Sequence, residues 1–391
     1  MRILIHGAGI AGPAAAFWLT RAGHEVTVVE RAAELRTGGQ AVDFKGSVQI
    51  DLLERMGLLE RLRALRTPPT DLVLVDADET HRATIPHAFT GGELEVLRGD
   101  LSRVLYEATR EACTYVFGDT LTALDDVGDA VAATFQRSPA REFDLVIGAD
   151  GIGSTVRRLA FGPHERYMRH LGYHYALVDL PAGRIPETLH DGRPAALMYN
   201  EPGRMAAIGG PKAPLFLVFA SAPLPEHRDR HHDAKVIARA YSGAGWRLPE
   251  LLGGLPEASS IHLDAIARVG MDGGFTRGRI ALLGDAAQGN TLGGFGSGLA
   301  LVGAYILAGE LTAAGGDHWA AFARYDRIMS RYTKIVRKGN AGRFLAPRTT
   351  TGIRLRAALF ASETAKRAML RFIDDTASDI ALPDYRALTA P

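Results

Sequence analysis

Residues Arg2–Glu30 read RILIHGAGIAGPAAAFWLTRAGHEVTVVE. An apolar run, Arg2–His6, meets a glycine turn with Gly7, Gly9 and Gly12 in G-x-G-x-x-G spacing. A helix-forming stretch follows and ends near Gly23, and a β-branched run then closes on Glu30. The unit is strand, glycine turn, helix, strand, acid. In that order each glycine serves a distinct purpose. Gly7 permits the tight turn, Gly9 lets the backbone approach a pyrophosphate, and Gly12 lets the helix pack on the strand. The N-terminus of the helix offers unpaired N–H groups and the positive end of its dipole to phosphates. Glu30 stands where an acid takes a ribose 2′-hydroxyl, which disfavours a 2′-phosphate and points to FAD or NAD rather than NADP.

Two later stretches repeat the strand-then-glycine pattern. Phe143–Leu159 reads FDLVIGADGIGSTVRRL, a buried-strand run, a turn carrying Asp150, and a helix with Ser154 and Arg157. By itself this fits any strand-to-helix connection, with Asp150 capping the turn. Arg279–Leu311 reads RIALLGDAAQGNTLGGFGSGLALVGAYILAGEL. It places Gly284 and Asp285 at a strand end, and six glycines fall between Gly284 and Gly298 before a long apolar helix. An acid at the carboxyl end of a parallel strand lies where such folds bind ligands. A helix N-terminus behind a glycine loop suits an oxyanion or an electron-rich ring edge.

Together, in this order, the three stretches resemble the FAD-dependent aromatic hydroxylases of the p-hydroxybenzoate hydroxylase fold. The resemblance runs from Met1 to about Phe344 and is nearest the tetracycline-inactivating monooxygenase branch. It implies an α/β fold: a Rossmann-like FAD-binding domain, an interposed mixed β-sheet substrate domain and C-terminal helices. Within it, GAGIAG with Glu30 looks like the ADP-binding motif, carrying Gly7, Gly9, Ala11 and Gly12, with Arg31 beside the acid. GADGIGSTVR looks like the Asp-Gly motif, implying that Asp150 contacts cofactor. GDAA looks like the Gly-Asp motif, implying that Gly284 and Asp285 hold the ribityl–phosphate region. Gly293, Gly294, Phe295, Gly296, Ser297 and Gly298 would then cradle the flavin ring. Glu34–Leu59 looks like the segment beside the ring, with Arg36, Gln40 and Asp43 as polar candidates, and Leu97–Ala108 like the helix whose arginine, here Arg98, reaches the flavin. Read as residues alone, each arginine also fits a solvated surface charge, as the less favoured alternative. The chain departs from the pattern at Gln288, where many relatives carry His or Tyr, and at Thr291 and Leu292, where a proline is usual.

The resemblance also implies a division of the chain. Residues 1–70, 96–165 and 275–345 would bind FAD, 71–95 and 166–274 would form the substrate domain, and 346–391 a C-terminal helical segment with one amphipathic helix near 353–373. It implies tightly but non-covalently bound FAD, NAD(P)H as a transient co-substrate and O2 as co-substrate. It implies that NAD(P)H would reduce the flavin, that oxygen would form a C4a-hydroperoxide, and that this species would hydroxylate an aromatic, polycyclic or antibiotic-like small molecule. The chain would act as a monomer or homodimer.

Composition narrows the alternatives. The 391 residues carry 45 Lys and Arg against 44 Asp and Glu, a net charge of +1, so no charge imbalance argues for nucleic acid or a membrane surface. One cysteine, Cys113, allows no internal disulfide and no multi-cysteine metal site. With no visible targeting segment and no uninterrupted apolar span, the expectation is a cytoplasmic chain. Glu226–Lys235, EHRDRHHDAK, reads as a solvated loop or helix start rather than a metal site, because adjacent His231 and His232 point apart on a helix. No nucleophilic triad, zinc spacing or Walker loop is legible, so no catalytic acid or base is assigned. Two rival readings stand beside the monooxygenase: an FAD-dependent reductase or dehydrogenase on the same fold, and a flavin- or ligand-binding protein without turnover.

Overall fold

The computed structural model describes residues 1–35, 40–185, 188–190, 192–210, 213–225, 229–336, 339–378, 381–385 and 388. Arg36 lies outside them. The opening stretch forms the strand Arg2–His6, the helix Ala11–Arg21 and the strand Glu25–Glu30. Arg2–His6 lies inside a six-stranded sheet, with Glu25–Glu30 and then Thr114–Phe117 on one side. Leu145–Gly148, Ile280–Leu282 and the short edge strand Thr276–Arg277 lie on the other. All pairs are parallel except the last. Ile3, Leu4 and Ile5 are fully buried, as expected of a parallel strand covered on both faces. The three marker stretches therefore end at three strands of one sheet, and the acids that follow two of them share its carboxyl edge.

The chain leaves this sheet and returns. Between the visits it builds an eight-stranded sheet in the order Ser260–Val269, Met168–Asp179, Ala213–Ala220, Arg204–Gly210, Arg193–Glu201, Asp71–Val75 and His81–Ile85, with Leu189–His190 paired on Arg193–Glu201. The period-two alternation of these strands separates two faces. Ala176, Val178, Leu215 and Leu217 pack with Ile237, Leu248 and Leu251 from the helices Arg230–Ala240 and Leu248–Gly253. Tyr173, Tyr175, Met205, Ala207 and Phe216 point the other way, toward Leu292 of the third glycine loop and Phe360. That loop is stitched to the edge strand: Val269 N–H donates to Gly289 O (2.7 Å), and Thr291 N–H to Ala267 O (3.0 Å).

The helix Gly296–Ala313 is buried from Gly298 to Leu311. By length and composition it could cross a membrane, but it packs within the core against the helix Ala11–Arg21. The C-terminal region departs from expectation. In place of one helix there are two, Thr350–Ala361 and Glu363–Ser378. The Ser362 hydroxyl accepts from Ala365 N–H and restarts the chain as a helix N-cap, with Glu363 in the first turn. Beyond them the chain returns to the first core. Tyr385 donates to the buried Glu310 (2.7 Å), its ring covers Gly309, where a Cβ would overlap it, and Leu388 is buried.

Candidate active site: a cofactor and substrate cavity

A cavity of about 1730 Å³ lies between the carboxyl edge of the parallel sheet and the inward face of the large sheet. Gly7, with φ +110°, turns the chain at its rim, and a Cβ there would stand 2.5 Å from Ala149 O. The Glu30 carboxylate accepts from Ala8 N–H (2.8 Å) and Ala32 N–H (2.9 Å), which fixes it beside the turn with lone pairs to spare. The helix Ala11–Arg21 begins with no side-chain cap, and so does Gly296–Ala313. Two helix starts thus present N–H groups with no side-chain partner to one cavity.

The Asp150 loop is bound up within the protein. Its carboxylate meets His6 Nδ1 (2.8 Å) and accepts from the Ser154 hydroxyl (2.5 Å), Thr155 N–H (2.6 Å) and Val156 N–H (3.2 Å). Burial works against the charge, but the His6 contact, the Ser154 hydroxyl and the Val156 N–H prevail, holding this carboxyl below the ordinary value. On the far side of the imidazole, Leu121 N–H donates to His6 Nε2 (3.4 Å), which makes Nδ1 the protonated nitrogen and the donor to Asp150. Arg157 is fully buried and donates to Ile152 O (2.6 Å) and Ala286 O (2.8 Å), tying this loop to the next.

Asp285 is the opposite case. It is surrounded by protein yet open to the cavity, and among the described residues nothing donates to its carboxylate. Burial raises its pKa, and the charge of Arg98 offsets this only in part. Gln40 Oε1 is likewise buried without a partner among the described residues. Leu292 holds φ +59°, a left-handed conformation that costs a residue with a Cβ about 1–2 kcal/mol, and it faces the cavity. Next to the Gly294–Phe295 backbone, Lys45 pairs with Asp43 (2.8 Å), donates to Phe89 O (3.0 Å) and lies 5.9 Å from the Phe295 ring centre.

The opposite wall divides in two. Met198, Met205, Ala207 and Phe216 form an apolar area, while the sheet edge contributes Tyr175, His262 and Asp264, with the Tyr175 hydroxyl 3.2 Å from His262 Nε2.

Residues 1–318 match the family described as an FAD binding domain. The chain belongs to this family. An uncharacterized protein of Mycobacterium tuberculosis is 41% identical over 335 residues, covering 83% of this chain and 88% of its own. A flavin-dependent monooxygenase of Legionella longbeachae is 31% identical over 351 residues, covering 86% and 87%. The solved structure of the tetracycline destructase Tet(55) superposes with a TM-score of 0.81 at 30% identity, covering 98% of each chain. The protein is an FAD-dependent monooxygenase of the aromatic hydroxylase fold, near the tetracycline destructase branch.

The cavity of this flavoprotein gathers most of the residues singled out in the sequence. Gly7, Gly9, Ala11, Glu30 and Arg31 line one end. Gln40, Asp43, Arg98, Asp150 and Asp285 follow, then Gly294, Phe295, Gly296 and Ser297. Gly12, Gly284 and Gly298 do not line it. A Cβ on Gly12 would overlap Gly7 O, and one on Gly298 would overlap the buried Gln49 side chain, so both serve close packing. Gln288 is also off the cavity, buried with its Oε1 unpaired among the described residues. Sequence reasoning missed His6 and Lys45. Each carried a signal: His6 is the polar end of an otherwise apolar strand, and Lys45 is two residues from Asp43, on the same side of an extended segment.

Proposed function

We propose that this protein is an NAD(P)H-dependent FAD monooxygenase that hydroxylates an aromatic, polycyclic or antibiotic-like small molecule. The observation that carries the reading is the single cavity that joins the glycine turn, the unpartnered Asp285 and the apolar face of the large sheet. The residues present suit FAD: two uncapped helix starts for its anionic parts, and an unsatisfied carboxylate and amide oxygen for hydroxyl or N–H donors. FAD, when bound, supplies the redox and oxygen-transfer chemistry.

The chain's own residues do the rest. Glu30 takes ribose hydroxyls, and Asp285 accepts from the ribityl region. The start of the helix Gly296–Ala313 places positive dipole against the ring edge where charge collects. Met198, Met205 and Phe216 exclude water from the reacting face. Asp150 acts through the loop it organises. In this reading residues 1–70, 96–165 and 275–345 hold the cofactor, and 71–95 with 166–274 close over the substrate.

The test is anaerobic reduction of the FAD-loaded protein with NADH and with NADPH, followed by isotopically labelled oxygen and candidate substrates under mass spectrometry. Gain of one labelled oxygen atom supports the reading. A product changed only in hydrogen count makes the protein a reductase, and failure to take up FAD removes the basis of the argument.

A further inference from the structure

The cavity wall beside the third glycine loop carries an arrangement of charge that its own strands disfavour. The strands Ala41–Phe44 and Leu94–Leu97 pair antiparallel, with Asp43 directly opposite Glu95. Carboxylates in directly opposed positions repel unless other groups offset them. Glu95 is buried and accepts from the Thr67 hydroxyl (2.7 Å). Asp43 is balanced by Lys45, whose Nζ stands 2.8 Å from Oδ2, and both side chains are largely buried. Lys45 also donates to Phe89 O (3.0 Å). An ammonium has three N–H donors, and these are its partners among the described residues, so at least one N–H is left for the cavity that Lys45 lines.

The same ammonium stands at the disfavoured end of a helix. A Cβ on Gly294 would lie 3.9 Å from Nζ, and the ring of Phe295, the residue before the helix Gly296–Ala313, is centred 5.9 Å away. A helix N-terminus is the positive end of the dipole and favours anions, so a cation beside it is unfavourable. This helix also starts without a side-chain cap. Two positive groups therefore converge where the proposed function puts the flavin ring, with Asp43 as the carboxylate paired to them. Arg98, on the same wall, is placed differently, since its charge acts on Asp285.

We infer that Lys45 sets the reduction potential of bound FAD: its open N–H donates to the N1–C2=O edge of the ring and holds the reduced form more tightly than the oxidised one. The oxidised ring is neutral, whereas the anionic reduced ring concentrates its negative charge at that edge. A group shifts an equilibrium only through its differential affinity for the two states. Lys45 and the helix start gain more from the anion than from the neutral ring, so both raise the potential. Asp43 opposes them and moderates the shift.

This inference rests on the proposed function for the place of the ring, but its test needs neither NAD(P)H nor oxygen. The FAD-loaded protein is reduced anaerobically with dithionite, and its two-electron potential is read against a reference dye. Lys45→Met should weaken the hold on reduced FAD relative to oxidised FAD by about tenfold, the ratio of one charge-assisted hydrogen bond, which lowers the potential by about 30 mV. Lys45→Arg, which keeps a charged donor, should stay closer to the wild type than to Lys45→Met. Asp43→Asn should raise the potential, because it removes the charge that opposes Lys45. The deciding comparison is Lys45→Met in the Asp43→Asn background, where the potential should again fall by about 30 mV relative to Asp43→Asn. That background leaves no unpaired carboxylate at position 43, so the comparison stands even where the single variant does not fold. Equal potentials for Asp43→Asn and the double variant overturn the inference, because Lys45 would then act only as the partner of Asp43. An unchanged or raised potential in Lys45→Met overturns it as well. Absence of labelled oxygen from every product in the turnover experiment would overturn the monooxygenase reading instead, and leaves these potentials intact.

Discussion

Asp150 and Asp285 follow neighbouring parallel strands, each beside a glycine, Asp150 ahead of a short helix and Asp285 as the first residue of one. In sequence they look alike, yet their electrostatics are opposed. The Asp150 carboxylate is held by His6, Ser154 and two backbone N–H groups, and its pKa lies below the ordinary value. The Asp285 carboxylate has no donor among the described residues, and its pKa lies above it. Protein groups satisfy the first acid, and in the proposed function a ligand satisfies the second. A motif identifies where an acid stands; its hydrogen bonds identify what it is for.

That contrast is broken first at Asp150. Asp150→Ala leaves the buried His6, the Ser154 hydroxyl and the two N–H groups without their acceptor. Removing one member of a buried charged network costs about 3–5 kcal/mol. The expected result is a large fall in denaturation midpoint for the cofactor-free protein, read by urea unfolding. A loss of FAD affinity with unchanged stability would make Asp150 a cofactor ligand after all.

Asp285→Asn should do the reverse. The charge-assisted bonds it offers a bound hydroxyl are worth about 1.5–3 kcal/mol, so FAD affinity should drop on the order of tenfold to a hundredfold. Stability of the cofactor-free protein at neutral pH should not fall, because the substitution removes a charge that Arg98 offsets only in part and that no described residue hydrogen-bonds. Isothermal titration with FAD and thermal unfolding of the same preparation separate the two effects.

The pH dependences carry opposite signs for the same reason. Asp150 has a depressed pKa, so its stabilisation is present above the ordinary carboxylate value and is lost as pH falls through its lower folded value. Asp285 has a raised pKa, so the folded protein favours its protonated form, and stability is lost as pH rises from the ordinary value through the raised one. FAD that donates to the ionised Asp285 should therefore bind more weakly as pH falls through that raised value. Asp285→Asn should flatten this dependence, and a slope that persists in the variant would assign it to another group.

Much of this was legible in the sequence and some was not, for physical reasons. The parallel sheet could be read because strand, glycine turn and helix are set by local chemistry: Ile3 to Ile5 need burial on both faces, and Gly12 needs the contact with Gly7. The strand Asp71–Val75 falls outside the cofactor region on sequence grounds, but its parallel pairing with Arg193–Glu201, more than a hundred residues later, leaves no local trace. The break at Ser362 was present as a Ser-Glu helix start inside an apolar periodicity that masked it. The docking of Tyr385 on Gly309 could not be read, because it depends on one missing side chain in a distant helix. The roles of the two acids were hidden for the same reason, since the partners of Asp150 include His6, from the other end of the motif set.

Gln288 tests the contrast with the smallest effect. The resemblance places it where a flavin-facing His or Tyr is usual, but in the fold it lies behind the loop, and Thr291 and Leu292 face the cavity in its place. A group that does not reach the cavity cannot tune what binds there. Gln288→Leu keeps the approximate volume and removes a buried amide oxygen that lacks a donor among the described residues. An unsatisfied buried polar atom costs about 1–3 kcal/mol, part of which is recovered when an apolar group of similar shape replaces it. The variant should therefore unfold at the same temperature or a slightly higher one, with FAD affinity and the visible flavin spectrum unchanged. A shifted flavin band or weakened FAD binding would show that residue 288 acts on the ring through the Asn290–Phe295 loop, whose left-handed Leu292 is the element able to transmit a change.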